Sequence, residues 1–388
     1  MTPELYPKFS SKEFERRHAA ARALMAAEDV DALIVFGNSG IARHNHAEIH
    51  YLSGFLGNRN NYLVMTSTGE PVLFVQSHNH VPNAREASFI HVERGGLNSA
   101  VTVAHHLIKM GARKCAIGYV GDVPVQSYLT WQRELAGCEF KDVTAAFQRL
   151  RLVKSAEEIE WLRKGAALTD AALENLIANA KPGMHEYELG ALVESVGLAR
   201  GGLPHLYYLS SGPQDGAGVC VPRQNLSHRV LQKGDVINTE ISISYWGYSG
   251  QAHRPVFLQA RPTDLYRELW ETALEAYQRC MACLKAGATS EDVLDAAEII
   301  AERGFTINDG FLHGFGIGLL PPSIGTRQAK RGIPKPPFRF EENMCVVVQP
   351  NVVTHDERAG VQLGNLVRIT RDGAECLHQL PLKYFVTS

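Results

Sequence analysis

The stretch GDVINTEISISYWGYSGQAHRP, residues 234–255, decides how this chain is read. From 237 to 245 the odd positions carry Ile237, Ile241, Ile243 and Tyr245, while the even ones carry Asn238, Glu240, Ser242 and Ser244. Side chains of a strand point alternately to its two faces, so this pattern predicts a strand with one apolar face and one polar face. Glu240 is on the polar face, and Gln251 and His253 follow further along the same stretch, two residues apart. From pattern alone Glu240 has two readings, a cavity-lining carboxyl or a solvated residue of an ordinary amphipathic strand.

Outward from this strand, LRLVKSAEEIEWLRKGAALTDAALENLIANA (150–180) opens with Ser155 and Glu158 in capping-box spacing, which predicts a long amphipathic helix. Further helices are predicted at 185–200, 263–286 and 289–303. A glycine-rich loop is predicted at 309–327, a strand at 343–354, and a strand pair at 360–377 with an Asp-Gly turn. Helices in pairs and strands in runs describe an α+β domain over 151–388. Before it, VDALIVFG (30–37), NYLVMTSTGEPVLFVQS (61–77) and KCAIGYVG (114–121) read as strands. They alternate with helical segments at 12–29, 97–110 and 124–137, which gives an α/β domain over 1–150. No glycine-rich phosphate loop follows any of these strands.

The 388 residues carry a formal net charge of −2, with 45% hydrophobic and 21% charged residues. That balance offers no electrostatic footprint for nucleic acid or an anionic membrane. The longest apolar runs, such as CVVV (345–348), are far too short to span a bilayer. The charged N-terminus lacks the apolar core of a secretory signal, so a cytoplasmic protein is expected. Seven scattered cysteines do not make a disulfide framework, and CMAC (280–283) reads as two helix thiols.

The ordered set of motifs resembles the creatinase/prolidase/methionine-aminopeptidase family. It comprises LRLVKSAEEIEWLRKGA (150–166), SSG (210–212), LQKGDV (231–236), GYSGQAHRP (247–255), HGFGIG (313–318), ENMCVVVQP (342–350) and GVQLGNLVRITRDGAECL (360–377). The resemblance covers nearly the whole chain and implies the pita-bread fold for the C-terminal domain. The family's metallopeptidases hold two divalent metals with two Asp, one His and two Glu. Carried onto this chain, those positions fall on Glu240, Gln251, His313, Gln349 and Gly364. Hard cations want several anionic oxygens, so no dinuclear centre and no cofactor are expected, and the chain resembles the metal-free, creatinase-like branch. Ectoine hydrolase-like members are similar in carrying Glu at the Glu240 position.

The resemblance makes His313, Glu240, His253 and Gln349 the candidate catalytic residues. His313 or His253 would activate water, Glu240 would orient that histidine or act as base, and Gln349 would donate to an oxyanion. The histidine used as base in creatinase falls on Arg223 here, so the base must be elsewhere. Arg59, Arg327, Arg223, Gln251 and His205 are candidate substrate-binding residues. Guanidinium forks suit carboxylates, so a small anionic substrate is expected. Arg59 implies a homodimer, because in the family that domain reaches the partner's active site. His228 ranks lower, Arg254 reads as either structural or substrate-binding, and Cys220 reads more readily as a buried thiol than as a nucleophile. The expected function is metal-independent hydrolysis of a non-peptide C–N bond (amidine, guanidino or amide) in a small carboxylate-bearing metabolite. The alternatives are a metal-dependent Xaa-Pro dipeptidase or aminopeptidase, and a binding homologue without turnover.

Overall fold

The computed structural model describes residues 5–37, 46–215, 218–330 and 332–388. The chain folds as two compact units, Met1–Arg151 and Leu152–Ser388.

In the first unit, six strands run across one sheet in the order His91–Arg94, Val72–Val75, Asn61–Thr66, Ala32–Gly37, Ala116–Val120, Glu139–Asp142. Ala32–Gly37 lies antiparallel to Asn61–Thr66 and parallel to Ala116–Val120. Alternation sorts the side chains: Leu33 and Val35 pack with Leu24 and Met25 of the helix Ser11–Ala27. Ile34 and Phe36 pack with Val103, Leu107 and Trp131 from the helices Ser99–Lys109 and Val125–Glu134. Both faces are covered, which is why the strand is buried throughout.

The second unit is an eleven-stranded sheet covered by four long helices. Val236–Tyr245 is its central strand. Ile237, Ile241 and Ile243 meet Leu168, Leu173, Leu176, Leu189 and Val193 of the helices Ala156–Asn179 and Glu186–Ala199. Each isoleucine so buried contributes ~1.5–3 kcal/mol. The first of these helices starts where the sequence placed it, with Ser155 accepting from Glu158 N and Glu158 accepting from Ser155 N. The helices Asp264–Cys283 and Ser290–Glu302 bury a second cluster with Leu312, Val346, Val348 and Val367. Cys280 and Cys283 are thiols on one helix, buried and half-buried. Among the described residues no helix is long and apolar enough to cross a membrane.

Two segments depart from the sequence reading. The glycine-rich stretch is not a loop but a hairpin, Leu312–Gly316 with Gly318–Ile324, turning at Gly318 with φ +72°. Gly314 is required there, because a Cβ on it would meet the Pro321 carbonyl oxygen at 2.2 Å. Leu203–Gly212, to which the sequence reading assigned no strand, pairs with the central strand along most of its length. Its register slips between Pro204 and Leu206, which masks the alternation.

Candidate active site

The polar face of the central strand is buried rather than solvated. Glu240 is 8% exposed, and Oε1 accepts a 2.6 Å hydrogen bond from Gln251 Nε2. Burial, together with the nearby Asp309 carboxylate, pushes its pKa up to about 8 against the pull of the Gln251 hydrogen bond. At neutral pH Glu240 is therefore an uncharged acid. Its other oxygen, Oε2, is 4.0 Å from His253 Nε2.

His253 has no solvent exposure, and neither ring nitrogen has a hydrogen-bond partner. Burial holds its pKa well below the ordinary histidine value, so it is a neutral imidazole. It pairs across the sheet with Gly364. A Cβ on Gly364 would fall 3.0 Å from His253 Nδ1, 2.8 Å from Gln349 Cα and 2.4 Å from the Val348 carbonyl oxygen. The place where the family resemblance implies a glutamate is therefore filled by backbone and by this imidazole.

His313 sits at a register shift in its strand, a device that re-aims side chains. Its Nδ1 faces the Gly314 carbonyl at 3.1 Å and its Nε2 faces Gln349 Oε1 at 3.2 Å. The Gln349 orientation is fixed by its amide nitrogen, which donates to the Gly310 carbonyl at 3.2 Å and approaches Asp309 Oδ2 at 3.5 Å. Burial lowers the His313 pKa. A neutral imidazole has one N–H and one lone pair, so His313 donates to one of these oxygens while its other nitrogen is aimed at the second, whereas neither nitrogen of His253 has a partner. One expectation changes accordingly. Gln349 spends its N–H groups on Gly310 and Asp309 rather than on an oxyanion.

Asp309 was not singled out from sequence. It lies exposed at the rim in the turn before the hairpin, held by Asn351 Oδ1 through its backbone N at 3.1 Å. It is the charged group that acts on both Glu240 and His313. The only signal for it was an Asp-Gly pair four residues before His313.

The arginines fare differently. Arg327 is committed to carboxylates of the helix Ser290–Glu302, with Asp295 at 2.7 Å, Glu291 at 2.6 Å and Glu298 at 3.6 Å. The geometry thus corrects its expected substrate-binding role, because its charge is already compensated. Arg254 is structural. Its guanidinium donates to the carbonyls of Pro381, His253, Gly364 and Leu380 and to Asn365 Oδ1. Arg223 is exposed, its backbone bridged to Leu209. Arg59 is exposed in the first unit, with φ +70°. His205 is half-buried at the irregularity of its strand, edge-on to Phe315, which also packs edge-on to His313. His228 is exposed and packs against Tyr187. Cys220 is buried, which raises its pKa, and its Sγ accepts from the Asn308 amide at 3.7 Å. With no base at hand it remains a thiol.

The donor set does not suit two divalent cations. Of the five positions implied by resemblance, one carboxyl remains and it is held neutral. Two positions are amides, one has no side chain, and the histidine faces a carbonyl and an amide oxygen. Hard cations need ionised oxygens, which these residues do not offer in number.

Comparisons with known proteins place these features in a lineage. A "Creatinase/Prolidase N-terminal domain" model matches residues 17–153, and a "Metallopeptidase family M24" model matches residues 160–371. An uncharacterized hydrolase/peptidase of Sinorhizobium fredii is 27% identical, over 98% of this chain and 97% of that protein. Creatinase of a Bacillus species is 24% identical, over 97% and 92% of the two chains. The structure of X-Pro aminopeptidase from Thermotoga maritima superposes with a TM-score of 0.81 at 22% identity, covering 95% of this chain and 99% of that one. The architecture is the two-domain creatinase/prolidase pita-bread fold, and the chain belongs to metallopeptidase family M24.

Proposed function

We propose that this chain is a metal-independent hydrolase of a non-peptide C–N bond in a small carboxylate-bearing metabolite. The observation that carries the reading is the pairing of a neutral carboxylic acid, Glu240, with an unpartnered neutral imidazole, His253, 4.0 Å apart. An acid and a base held in these opposite protonation states divide the labour of hydrolysis. Water adds to the carbon of the C–N bond while His253 takes its proton, and Glu240 delivers its own proton to the departing nitrogen. The site is then left with an imidazolium beside a carboxylate. Transfer of the proton from His253 to Glu240 restores both groups.

Gln251 fixes the acid, its amide holding Oε1 of Glu240 while Oε2 faces His253. His313 and Gln349, both buried, form a supporting chain that ends at the exposed Asp309. In the same reading the substrate is anionic, with Arg59 and Arg223 the remaining candidates for its carboxylate. In this reading the protein works as a homodimer, as the family resemblance suggests, in a cytoplasm where its scattered cysteines stay thiols.

The test is turnover by chelator-treated, metal-analysed protein on a panel of N-acyl amino acids, guanidino acids, cyclic amidines and Xaa-Pro dipeptides, followed by amine or ammonia release. Hydrolysis of a non-peptide member is expected. Cleavage confined to Xaa-Pro dipeptides, and only after Mn, Co or Zn is returned, overturns the proposal in favour of a conventional metallopeptidase.

A further inference from the structure

We infer that Asn238, Asn351 and Gln362 form a substrate subsite for an uncharged carboxamide or ureido group. Asn238 lies two residues from Glu240, Asn351 two residues from Gln349, and Gln362 two residues from Gly364, the strand partner of His253. Asn238 shares the polar face of the central strand with Glu240, roughly 7 Å along it at the usual rise of a strand. Asn351 and Gln362 are direct partners across their own two-stranded ladder. Asn238 joins them through the same backbone, since its Nδ2 donates to the Gly360 carbonyl at 3.1 Å, two residues before Gln362, and to the Val219 carbonyl at 3.1 Å. The three amides thus form one polar tier linked through residues 360–362.

All three are at most 1% exposed, yet polar atoms on each lack a partner: Asn238 Oδ1, Asn351 Nδ2, and both Nε2 and Oε1 of Gln362. Buried polar atoms left unpaired are costly, and folded proteins seldom leave several together without something to complement them. The orientations are not arbitrary. Two backbone carbonyls hold the Asn238 nitrogen, so its oxygen faces inward as an acceptor. The backbone nitrogens of Asn308 and Asp309 bind Asn351 Oδ1 at 2.8 and 3.1 Å, so its nitrogen remains as the donor. Gln362 supplies one more donor and one more acceptor. A carboxamide or urea has the complementary set, a carbonyl that accepts and N–H groups that donate. None of the three side chains is charged, so a guanidinium or carboxylate among them would be buried without compensation.

The inference rests on the proposed function only in taking this face as the substrate side. Its test measures binding rather than turnover, so the two readings fail separately. Full-length protein, Q362L and Q362E are titrated calorimetrically with N-carbamoylglycine, N-acetylglycine, guanidinoacetate and succinate. The wild type is expected to bind the ureido and acetyl compounds. Q362L is expected to weaken both by ~10-fold or more, the scale of one lost hydrogen bond that leaves its partner buried, and to leave succinate unchanged. Q362E, which keeps the shape and tests the idea even if Q362L fails to fold, is expected to shift preference toward guanidinoacetate. Identical titrations for wild type and both variants would show that buried water alone fills the tier and would overturn the inference. Absence of binding by either amide probe to the wild type would overturn it as well.

Discussion

Replacing Glu240 by Gln keeps the shape of the side chain and its hydrogen bond from Gln251 while removing the titration. In the folded protein the carboxyl is raised from the ordinary 4.5 to about 8. Across that interval the unfolded chain has released its proton and the folded chain still holds it. Stability therefore falls as pH rises from about 4.5 to about 8 and levels off above that. At 1.36 kcal/mol per pH unit the full interval amounts to about 5 kcal/mol, a ceiling for the effect. E240Q lacks this term, so it gains stability relative to the wild type through the same window. The assay is urea denaturation of both proteins at pH 5, 6, 7 and 8, with only their difference taken, so that every other titrating group cancels. The expected difference grows in favour of E240Q with a slope of up to ~1.4 kcal/mol per pH unit. A flat difference would refute the reasoning by showing that Glu240 ionises in or below the ordinary carboxylate range.

Three further outcomes follow from the same geometry. Gly364→Ala places a methyl against the Val348 carbonyl oxygen and Gln349 Cα, 2.4 and 2.8 Å from its Cβ. A loss of ~2–4 kcal/mol in thermal denaturation is expected. Arg327→Ala removes only surface ion pairs to Glu291, Asp295 and Glu298. It should cost no more than ~1 kcal/mol and leave kcat/KM unchanged, whereas a large rise in KM would return Arg327 to the substrate. Asp309→Asn removes a negative charge that raises the Glu240 pKa. The alkaline limb of the kcat–pH profile, where the acid is lost, is expected to move to lower pH.

The parts legible in the sequence are those set by local spacing. The alternation through 237–245 identified a strand and put Glu240 on the face opposite the isoleucines, while whether that face was buried or solvated stayed open until its packing was seen. Ser155 and Glu158 marked a helix start through contacts three residues apart. Signals failed where a tertiary contact took over. The hairpin at 312–324 read as a loop because glycines also mark turns, and only the approach of the Pro321 carbonyl shows why Gly314 belongs to a strand. The roles of the arginines depend on partners far along the chain. Arg254 is satisfied by carbonyls reaching to Pro381 and Arg327 by a helix about thirty residues earlier. The choice between His313 and His253 as base rested on where Gln349 points, which spacing does not encode. Asp309 acts on Glu240 across 69 residues of sequence, beyond any local signal.

The most direct test of the account combines elemental analysis with single-substrate turnover on one preparation. The protein is purified without added metal, dialysed against chelator, and assayed before and after Mn, Co or Zn is restored. The account predicts well under one divalent ion per chain and a rate that neither falls with the chelator nor rises with the metals. Two tightly bound ions per chain, with activity lost on their removal and regained on their return, would contradict it.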